Sequence, residues 1–363
     1  MSRREIAAEH AAAGETERRI APPVVEAMTQ AGVFRLCVPA SAGGLEAHPR
    51  ELIETVEDLA RGDAAAGWVG AILATSGLLL GYLPPDAASA VFATPTTVLG
   101  GVFAPRGRAV EDGDGFRVSG RWPFSSGCEH CDWLMGGATA ETRPVPALYL
   151  ARRDEVTIHD TWNVSGLRGT GSHDIEMQDV FVPAEHVGSL FSDTPTASGP
   201  LYAFPVFGLL AIAIAGVTLG IGRGALDDIV ALGSKVPTAG RRSLGERTTV
   251  QAETARAEAA LRAARAGLLD AVDRAWETAE SGALAEADRL GLRLAATHAA
   301  MTAADVALTT YRLGGGTAIY DSSPLQRRLR DANAATQHML VAPATFELGG
   351  RLLFGLPTDI SAL

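Results

Sequence analysis

The segment GRWPFSSGCEHCDW, from Gly120 to Trp133, concentrates side chains that could do chemistry. It holds two of the chain's three cysteines, Cys128 and Cys131, in a C-x-x-C spacing. A zinc site would need more ligands at suitable spacing, and Cys37 alone does not supply them. A redox pair would lie at a helix start after a strand, whereas this pair follows a hairpin strand and a Ser-Ser-Gly turn. We therefore predict buried, unpaired thiols and no metal site.

Three other features could serve catalysis or phosphate binding. His338 lies on a predicted helix in RLRDANAATQHML, and histidine can exchange a proton near neutral pH. The run from Gly314 to Gly316 lacks the Lys-Ser/Thr of a P-loop, so it either presents amides to a phosphate or ends a helix. Arg241 belongs either to a phosphate clamp or to a solvated loop, and the composition of GRRSLGER favours the loop. GTGSHD and GIGRGAL lack the strand-loop-helix context of a dinucleotide fold.

The composition is that of a globular enzyme. Of the 363 residues, 47% are hydrophobic and 20% charged, which argues against disorder. The net charge of −11 gives no excess of positive charge that would bind nucleic acid or an anionic membrane. Three cysteines cannot form a disulfide framework, and no secretory signal opens the chain. We expect a protein of the reducing cytoplasm that binds neither nucleic acid nor membrane.

One uncharged stretch is long enough to span a membrane. It runs from Asp193 to Arg223 and contains FPVFGLLAIAIAGVTLGIG. Glycines and Pro205 interrupt it, no aromatic belt flanks it, and no basic loop follows. A helix buried on all sides in a bundle explains this pattern better.

Three regions of different pattern must position the candidate residues. Apolar residues at helical spacing and proline-to-glycine helix boundaries fill the first region. In the second, EDGDGFRVSGRW predicts a hairpin whose returning strand alternates through Phe116 and Val118, and two later segments also alternate. Long helices rich in alanine and leucine make up the third. We place the domains at residues 1–95, 96–195 and 196–363.

Several segments, taken in order, resemble the acyl-CoA dehydrogenase superfamily. They are AGVFRLCVPASAGG, GRWPFSSG, FVP and GGGTAIYDSSPLQRRLRDA. Within it, GDAAAGWV, RWPFSSGCEHCDW, WNVSGLRGTGSHDI and RDANAATQH resemble the flavin-dependent monooxygenase branch. The resemblance implies an α+β, mainly α fold: an N-terminal helical domain, a central β-barrel-like domain and a C-terminal four-helix bundle. It also implies a homotetramer.

The resemblance further implies the oxygenase component of a two-component monooxygenase. A separate NAD(P)H:flavin reductase would supply reduced flavin, FMNH2 or FADH2, and O2 would add to its C4a. The resulting hydroperoxide would oxygenate an aromatic or polycyclic substrate of polyketide or steroid type while water is excluded. Two alternatives remain: a flavoprotein dehydrogenase acting on an acyl thioester or another activated substrate, and a non-catalytic homologue that binds a ligand or partner. The dehydrogenase would need a carboxylate base where this chain has His338 and Met339.

Site residues follow from the same resemblance. Ser126, or Ser125 as second choice, would bond the flavin near N5, and Trp122 and Phe124 would offer apolar surface beside the ring. His338 matches the histidine of the monooxygenases and would orient the hydroperoxide or the substrate, or move a proton. The remaining cofactor-binding residues would be Gly127, Thr170, Ser172, Arg241 at the phosphates, and Gly314, Gly315 and Gly316 at the cofactor of a neighbouring subunit.

The expected substrate pocket departs from the family pattern. Phenol hydroxylases of this branch carry a second histidine shortly after the Gly-Trp pair that ends in Trp68, and Ser76 stands about where it would be. Val102 and Phe103 replace residues of a usually serine-rich segment. The pocket therefore looks less polar than that of a hydroxylase for small phenols, which argues against simple phenol ortho-hydroxylation. A larger apolar substrate, heteroatom oxidation, a Baeyer-Villiger step and an inactive relative remain open.

Overall fold

The computed structural model describes residues 1–236, 242–282, 284–361 and 363 of the chain. Helices come first. The side chain of Asp63 begins one of them, because its carboxylate accepts hydrogen bonds from the amides of Ala65 and Ala66. The N-terminal helices are α1 (Arg3–Glu17), α2 (Pro22–Gln30), α3 (Pro49–Gly62), α4 (Ala64–Ser76) and α5 (Pro85–Val91).

A mixed sheet follows, ordered β5-β6-β2-β1-β3-β4-β7 in the described part of the chain. Its strands are β1 (Leu99–Asp112), β2 (Gly115–Ser125), β3 (Trp133–Ala140), β4 (Arg143–Arg152), β5 (Thr157–His159), β6 (His173–Pro183) and β7 (Val187–Gly188). β1 and β2 form the predicted hairpin, which turns at Gly113 with a φ of 62°. The predicted barrel-like domain is this sheet, with β5 and β7 at its edges.

Helices again make up the last part of the chain. They are α6 (Pro200–Ala203), α7 (Val206–Ala231), α8 (Thr248–Ser281), α9 (Glu286–Gly314), α10 (Pro324–Ala335) and α11 (Ala344–Leu353). The predicted domain boundaries near residues 95 and 195 fall in connecting segments. This order of helices, central sheet and helices confirms the predicted fold class.

The most apolar helix lies in the centre of the molecule. α7 packs against α3, α9 and α10. Two helical stretches, Ala64–Tyr82 and Val206–Ser234, have the length and composition to cross a membrane, and both are mostly buried inside the fold. They are core helices, as predicted for the stretch before Arg223.

A buried arginine joins three helices near the C-terminal end of α7. Arg328 on α10 is 6% exposed, and its guanidinium donates to Asp228 at 3.2 Å and to the carbonyls of Ala60 at 2.9 Å and Arg61 at 2.6 Å. A Cβ on Gly224 would lie 2.5 Å from the Arg328 Cζ atom, so any larger residue would have to displace the hydrogen-bonded guanidinium. The small residues of GIGRGAL therefore permit close packing rather than nucleotide binding.

Candidate active site

A row of hydrogen-bonded side chains joins α4 to the loop before β6. The Trp68 Nε1 atom donates to Ser126 Oγ at 3.1 Å, and Ser126 Oγ lies 2.7 Å from Ser172 Oγ. Ser172 Oγ lies 2.7 Å from Thr170 Oγ1, which donates to the Leu167 carbonyl at 2.8 Å. The structure thus brings four of the predicted site residues together from three separate segments.

The turn after β2 places Ser126 in this row. The amide of Gly127 donates to the Thr170 carbonyl at 2.9 Å, which ties the turn to the loop before β6. Gly127 has a φ of 67°, and a Cβ there would lie 2.8 Å from a methyl group of Val69. Only glycine combines this backbone conformation with such close approach to α4. The preceding Ser125 is fully buried, and its hydroxyl has no hydrogen-bond partner among the described residues.

An exposed aromatic surface lies beside this turn. Phe124 is 67% exposed and has a φ of 68°, an uncommon conformation for a non-glycine residue. Its ring meets the edge of Trp162 at a centroid distance of 6.0 Å. The Trp162 Nε1 atom donates to the Leu167 carbonyl at 3.1 Å, which fixes the indole against the loop. The sequence analysis did not single out Trp162, although it lies in the quoted segment WNVSGLRGTGSHDI.

Trp122 does not share this surface. It is fully buried in the sheet, where its Nε1 atom donates to the Gly137 carbonyl at 2.8 Å. Its ring fills the space that glycines leave on neighbouring strands, among them Gly107 and Gly136. Trp122 has no accessible surface in this structure and so offers no exposed face beside the turn as Phe124 does. Its contact with the flavin ring stays a prediction.

His338 lies close to the hydroxyl row but not on a helix. α10 ends at Ala335, so the prediction that the histidine is helical is wrong by a few residues. The imidazole meets the Trp68 ring at a centroid distance of 5.7 Å, and its Nδ1 atom accepts a hydrogen bond from the Leu340 amide at 3.3 Å. Burial, and to a lesser extent the nearby Arg293, lower the pKa of His338 to about 4. The neutral ring therefore carries its proton on Nε2 and offers a hydrogen-bond donor.

A second buried arginine fixes the segment that carries His338. Arg293 on α9 donates from Nη2 to the Leu340 carbonyl at 3.3 Å and to Thr345 Oγ1 at 3.4 Å. Burial lowers the pKa of Arg293 as well. The sequence analysis missed this residue, because an isolated arginine in an amphipathic helix carries no sign of burial.

Two buried carboxyl groups hold the site's elements in place. Asp331 on α10 accepts a hydrogen bond from the Leu167 amide at 2.7 Å, and Asp63 caps α4. Burial raises the pKa of both groups, that of Asp331 to about 7. These residues link α10, α4 and the loop before β6, and sequence reasoning had assigned a role to neither.

The residues predicted for the substrate pocket lie where α4 meets β1. Ser76 is buried near the end of α4, and its hydroxyl donates to the Ile72 carbonyl at 2.9 Å. Val102 and Phe103 are half-buried on β1, which contacts α4. The neighbourhood is apolar, since Leu73 of α4 packs against the backbone of β1 at Gly100.

The remaining candidates add no side chain to the hydroxyl row, and one of them lies outside the described residues. Cys128 and Cys131 are buried, unpaired thiols, as predicted, and burial raises the pKa of Cys128 to about 12. Gly314 ends α9, and Gly315 and Gly316 are exposed in the turn that follows. Arg241 lies outside the residues that the structure describes.

Comparison with known proteins decides the family. The acyl-CoA dehydrogenase N-terminal domain model matches residues 1–83, and the C-terminal domain model matches residues 212–343. The chain is 35% identical over 348 residues to an indole-3-acetate monooxygenase from Pseudomonas putida, covering 94% of this chain and 89% of that protein. The chain belongs to the flavin-dependent monooxygenases of the acyl-CoA dehydrogenase superfamily. This monooxygenase is therefore an oxygenase component that acts on aromatic or steroid-like substrates and receives reduced flavin from a separate reductase.

Solved structures agree with this assignment. The 3-HSA hydroxylase from Rhodococcus sp. RHA1 superposes on the monooxygenase with a TM-score of 0.91 at 28% identity, covering 99% of this chain and 96% of that one. XiaF from Streptomyces sp., solved in complex with FADH2 and glycerol, has a TM-score of 0.90 at 29% identity, covering 98% and 93%.

The local structure of the monooxygenase fits a flavin on three counts. Phe124 offers an exposed aromatic face beside a buried polar row, which suits a ring with one polar edge. Ser125 holds a buried hydroxyl that still needs a partner. Ser126 keeps a hydroxyl lone pair after its two side-chain hydrogen bonds. A bound reduced flavin supplies the activation of O2, and the protein supplies binding, orientation and exclusion of water.

Proposed function

We propose that this monooxygenase oxygenates an electron-rich aromatic ring of the indole type rather than a phenol. Ser76 carries this proposal. A phenol becomes strongly nucleophilic when a base removes its proton, and the phenol hydroxylases of this branch place a histidine for that purpose. The hydroxyl of Ser76 donates to its own helix at the Ile72 carbonyl and has no basic nitrogen to offer. An indole needs no such base, because its ring is electron-rich while neutral.

Other features support the same substrate class. β1 contacts α4 and is apolar and half-buried at Val102 and Phe103, which suits a bicyclic ring. The relative from Pseudomonas putida, by its name, acts on indole-3-acetate. His338 contributes a neutral Nε2–H donor that orients the reacting oxygen or the substrate.

The flavin lies, in this proposal, against Phe124 with its polar edge at Ser126. The backbone of Gly127 lets the flavin ring come close, and Thr170 and Ser172 hold the Ser126 hydroxyl through their hydrogen bonds. Arg241 is proposed to meet the flavin phosphates. FMN and FAD share the ring that these residues would contact, so the proposal covers both reduced forms. The reductase uses NAD(P)H, and both components work in the cytoplasm.

We also propose that the enzyme is a homotetramer. Large apolar side chains are exposed in the last part of the chain, and exposed apolar surface is typical of contacts between protein chains. The turn at Gly315 and Gly316 lies next to two of them in the chain, and we propose that it meets the cofactor of a neighbouring subunit. Light scattering should give a mass of four chains, and a stable monomer at micromolar concentration would contradict this. These exposed residues are Ile319, Tyr320, Met339, Phe346, Leu353, Phe354 and Leu356.

The substrate class can be tested with Ser76→His. Wild-type protein, a flavin reductase and NADH should convert indole-3-acetate but give little product from resorcinol, since resorcinol would need a base. In Ser76→His, resorcinol turnover should rise by about 10²-fold, the lower range for a positioned general base. Product is measured by chromatography after single substrates are supplied.

Ser76→Ala is the matched control, because it removes the hydroxyl without adding a base. It should turn over indole-3-acetate like the wild type and leave resorcinol unused. Wild-type protein that hydroxylates resorcinol as fast as the indole would contradict the proposed substrate class.

A further inference from the structure

We propose that Thr170, acting through Ser172, fixes the direction of the Ser126 hydroxyl and thereby decides which redox form of the flavin the site accepts. Thr170 and Ser172 are positioning residues in this proposal, since they act on the cofactor only through Ser126. The proposal rests on the proposed placement of the flavin at Ser126, and it adds a determinant of redox preference to that site.

The number of hydrogens that each group can donate decides which atom donates at each contact in the row. At one end the Trp68 indole can only donate, and at the other the Leu167 carbonyl can only accept. Each hydroxyl between them has a single hydrogen. Thr170 must give its hydrogen to Leu167, at 2.8 Å, so at the 2.7 Å contact it accepts from Ser172.

The same rule applies one step further along the row. Ser172 has given its hydrogen to Thr170, so Ser126 must donate to Ser172 across their 2.7 Å contact. Ser126 Oγ also accepts from Trp68 at 3.1 Å. Only this assignment satisfies all four contacts. Ser126 therefore has no hydrogen left, and it faces any further partner as an acceptor.

Burial keeps this direction fixed. Thr170 and Ser172 are no more than 2% exposed, so bulk water does not compete for their hydrogens. The Asp331 carboxylate also holds the Leu167 amide at 2.7 Å, which keeps the accepting end of the row in place. A reversed row would take the Thr170 hydrogen away from the Leu167 carbonyl, and the loss of that hydrogen bond is unfavourable in a buried site.

The direction of the row discriminates between flavin redox states. N5 of a reduced flavin carries a hydrogen and can donate to Ser126. N5 of an oxidised flavin is a bare acceptor, and it would face an oxygen that has no hydrogen to give. The site should therefore bind reduced flavin and release oxidised flavin, as an oxygenase fed by diffusion requires.

Thr170→Val tests the proposal. Valine has a similar shape but no hydroxyl, so Ser172 loses its acceptor and turns its hydrogen toward Ser126. Ser126 can then point its own hydrogen at the flavin. The ratio of the Kd for oxidised flavin to the Kd for reduced flavin should fall by about tenfold, the effect of roughly one hydrogen bond. Both constants are measured by anaerobic titration with FAD and with FMN, without substrate or turnover.

Two further variants complete the test. Thr170→Ser keeps the hydroxyl and should keep the wild-type ratio. Ser172→Ala also removes the acceptor for the Ser126 hydrogen, so its ratio should fall as in Thr170→Val. The Leu167 carbonyl still accepts from the Trp162 indole at 3.1 Å in each variant, which favours retention of the fold.

The outcomes separate this proposal from the proposed function. Wild-type binding of reduced flavin with an unchanged ratio in Thr170→Val and Ser172→Ala would overturn the positioning role and leave the function standing. An equal loss of affinity for both redox forms, with a lower melting temperature, would assign Thr170 a purely structural role and likewise overturn it. Wild-type protein that binds neither form would remove the flavin from Ser126 and overturn both proposals.

Discussion

His338→Ala should lower product formation by about 10²- to 10³-fold, the usual effect of removing a preorganised hydrogen-bond donor. The neutral ring donates from Nε2, because Nδ1 already accepts from the Leu340 amide at 3.3 Å. Oxygen consumption should continue in part and appear as hydrogen peroxide, since in the proposed role His338 orients the oxygen transfer and does not bind the flavin. Product is measured by chromatography and hydrogen peroxide by a peroxidase-coupled assay.

The pH profile tests the same assignment. Burial and Arg293 lower the pKa of His338 to about 4, so the ring stays neutral from about pH 5 upward. Product formation by the wild type should therefore not change near pH 6.5, the usual pKa of a histidine, because His338 neither gains nor loses a proton there. The pH profile of His338→Ala should have the same shape in this range. His338→Gln, which keeps a side-chain N–H donor, should recover part of the coupled activity. Full coupled activity in His338→Ala would make the histidine structural.

Arg328→Ala should lower the free energy of unfolding by about 3–5 kcal/mol. The guanidinium is buried and joins Asp228 to three backbone carbonyls at the end of α3, so its removal leaves a carboxylate and three carbonyls without this partner. The substitution also leaves a cavity where the guanidinium packs against Gly224. Urea unfolding followed by circular dichroism at fixed protein concentration measures the effect.

Arg289→Ala is the matched control on α9. Arg289 is exposed, so its replacement should change the free energy of unfolding by no more than about 0.5 kcal/mol. Equal stability of the two variants would contradict this prediction, because it would show that the contacts of Arg328 stabilise the fold no more than those of an exposed arginine.

Much of the fold could be predicted because its signals are local. The alternation around Phe116 and the turn at Gly113 predicted the hairpin of β1 and β2. The lack of charge before Arg223 predicted a buried helix, and α7 is that helix. Such patterns reflect which side of an element faces the core, and the chain encodes that residue by residue.

One strand shows where local pattern fails. Trp122 and Phe124 are two residues apart, so a regular strand would place both on one face, and both were predicted beside the flavin. Phe124 has a φ of 68°, and the pairing of β2 with β6 shifts register between Trp122 and Ser125. The irregularity leaves Trp122 in the sheet's interior and Phe124 at the surface. Alternation cannot reveal such a bulge, because it depends on contacts with another strand.

The sequence by itself therefore determined the family, the order of domains and most of the residue types at the site. Only the tertiary structure decided how they act together. Trp68, Ser126 and Thr170 come from segments 58 and 44 positions apart along the chain, and their hydrogen bonds exist only after α4, the turn and the loop have packed. The direction of those bonds, and the proton position on His338, depend on which partner each polar atom meets when buried.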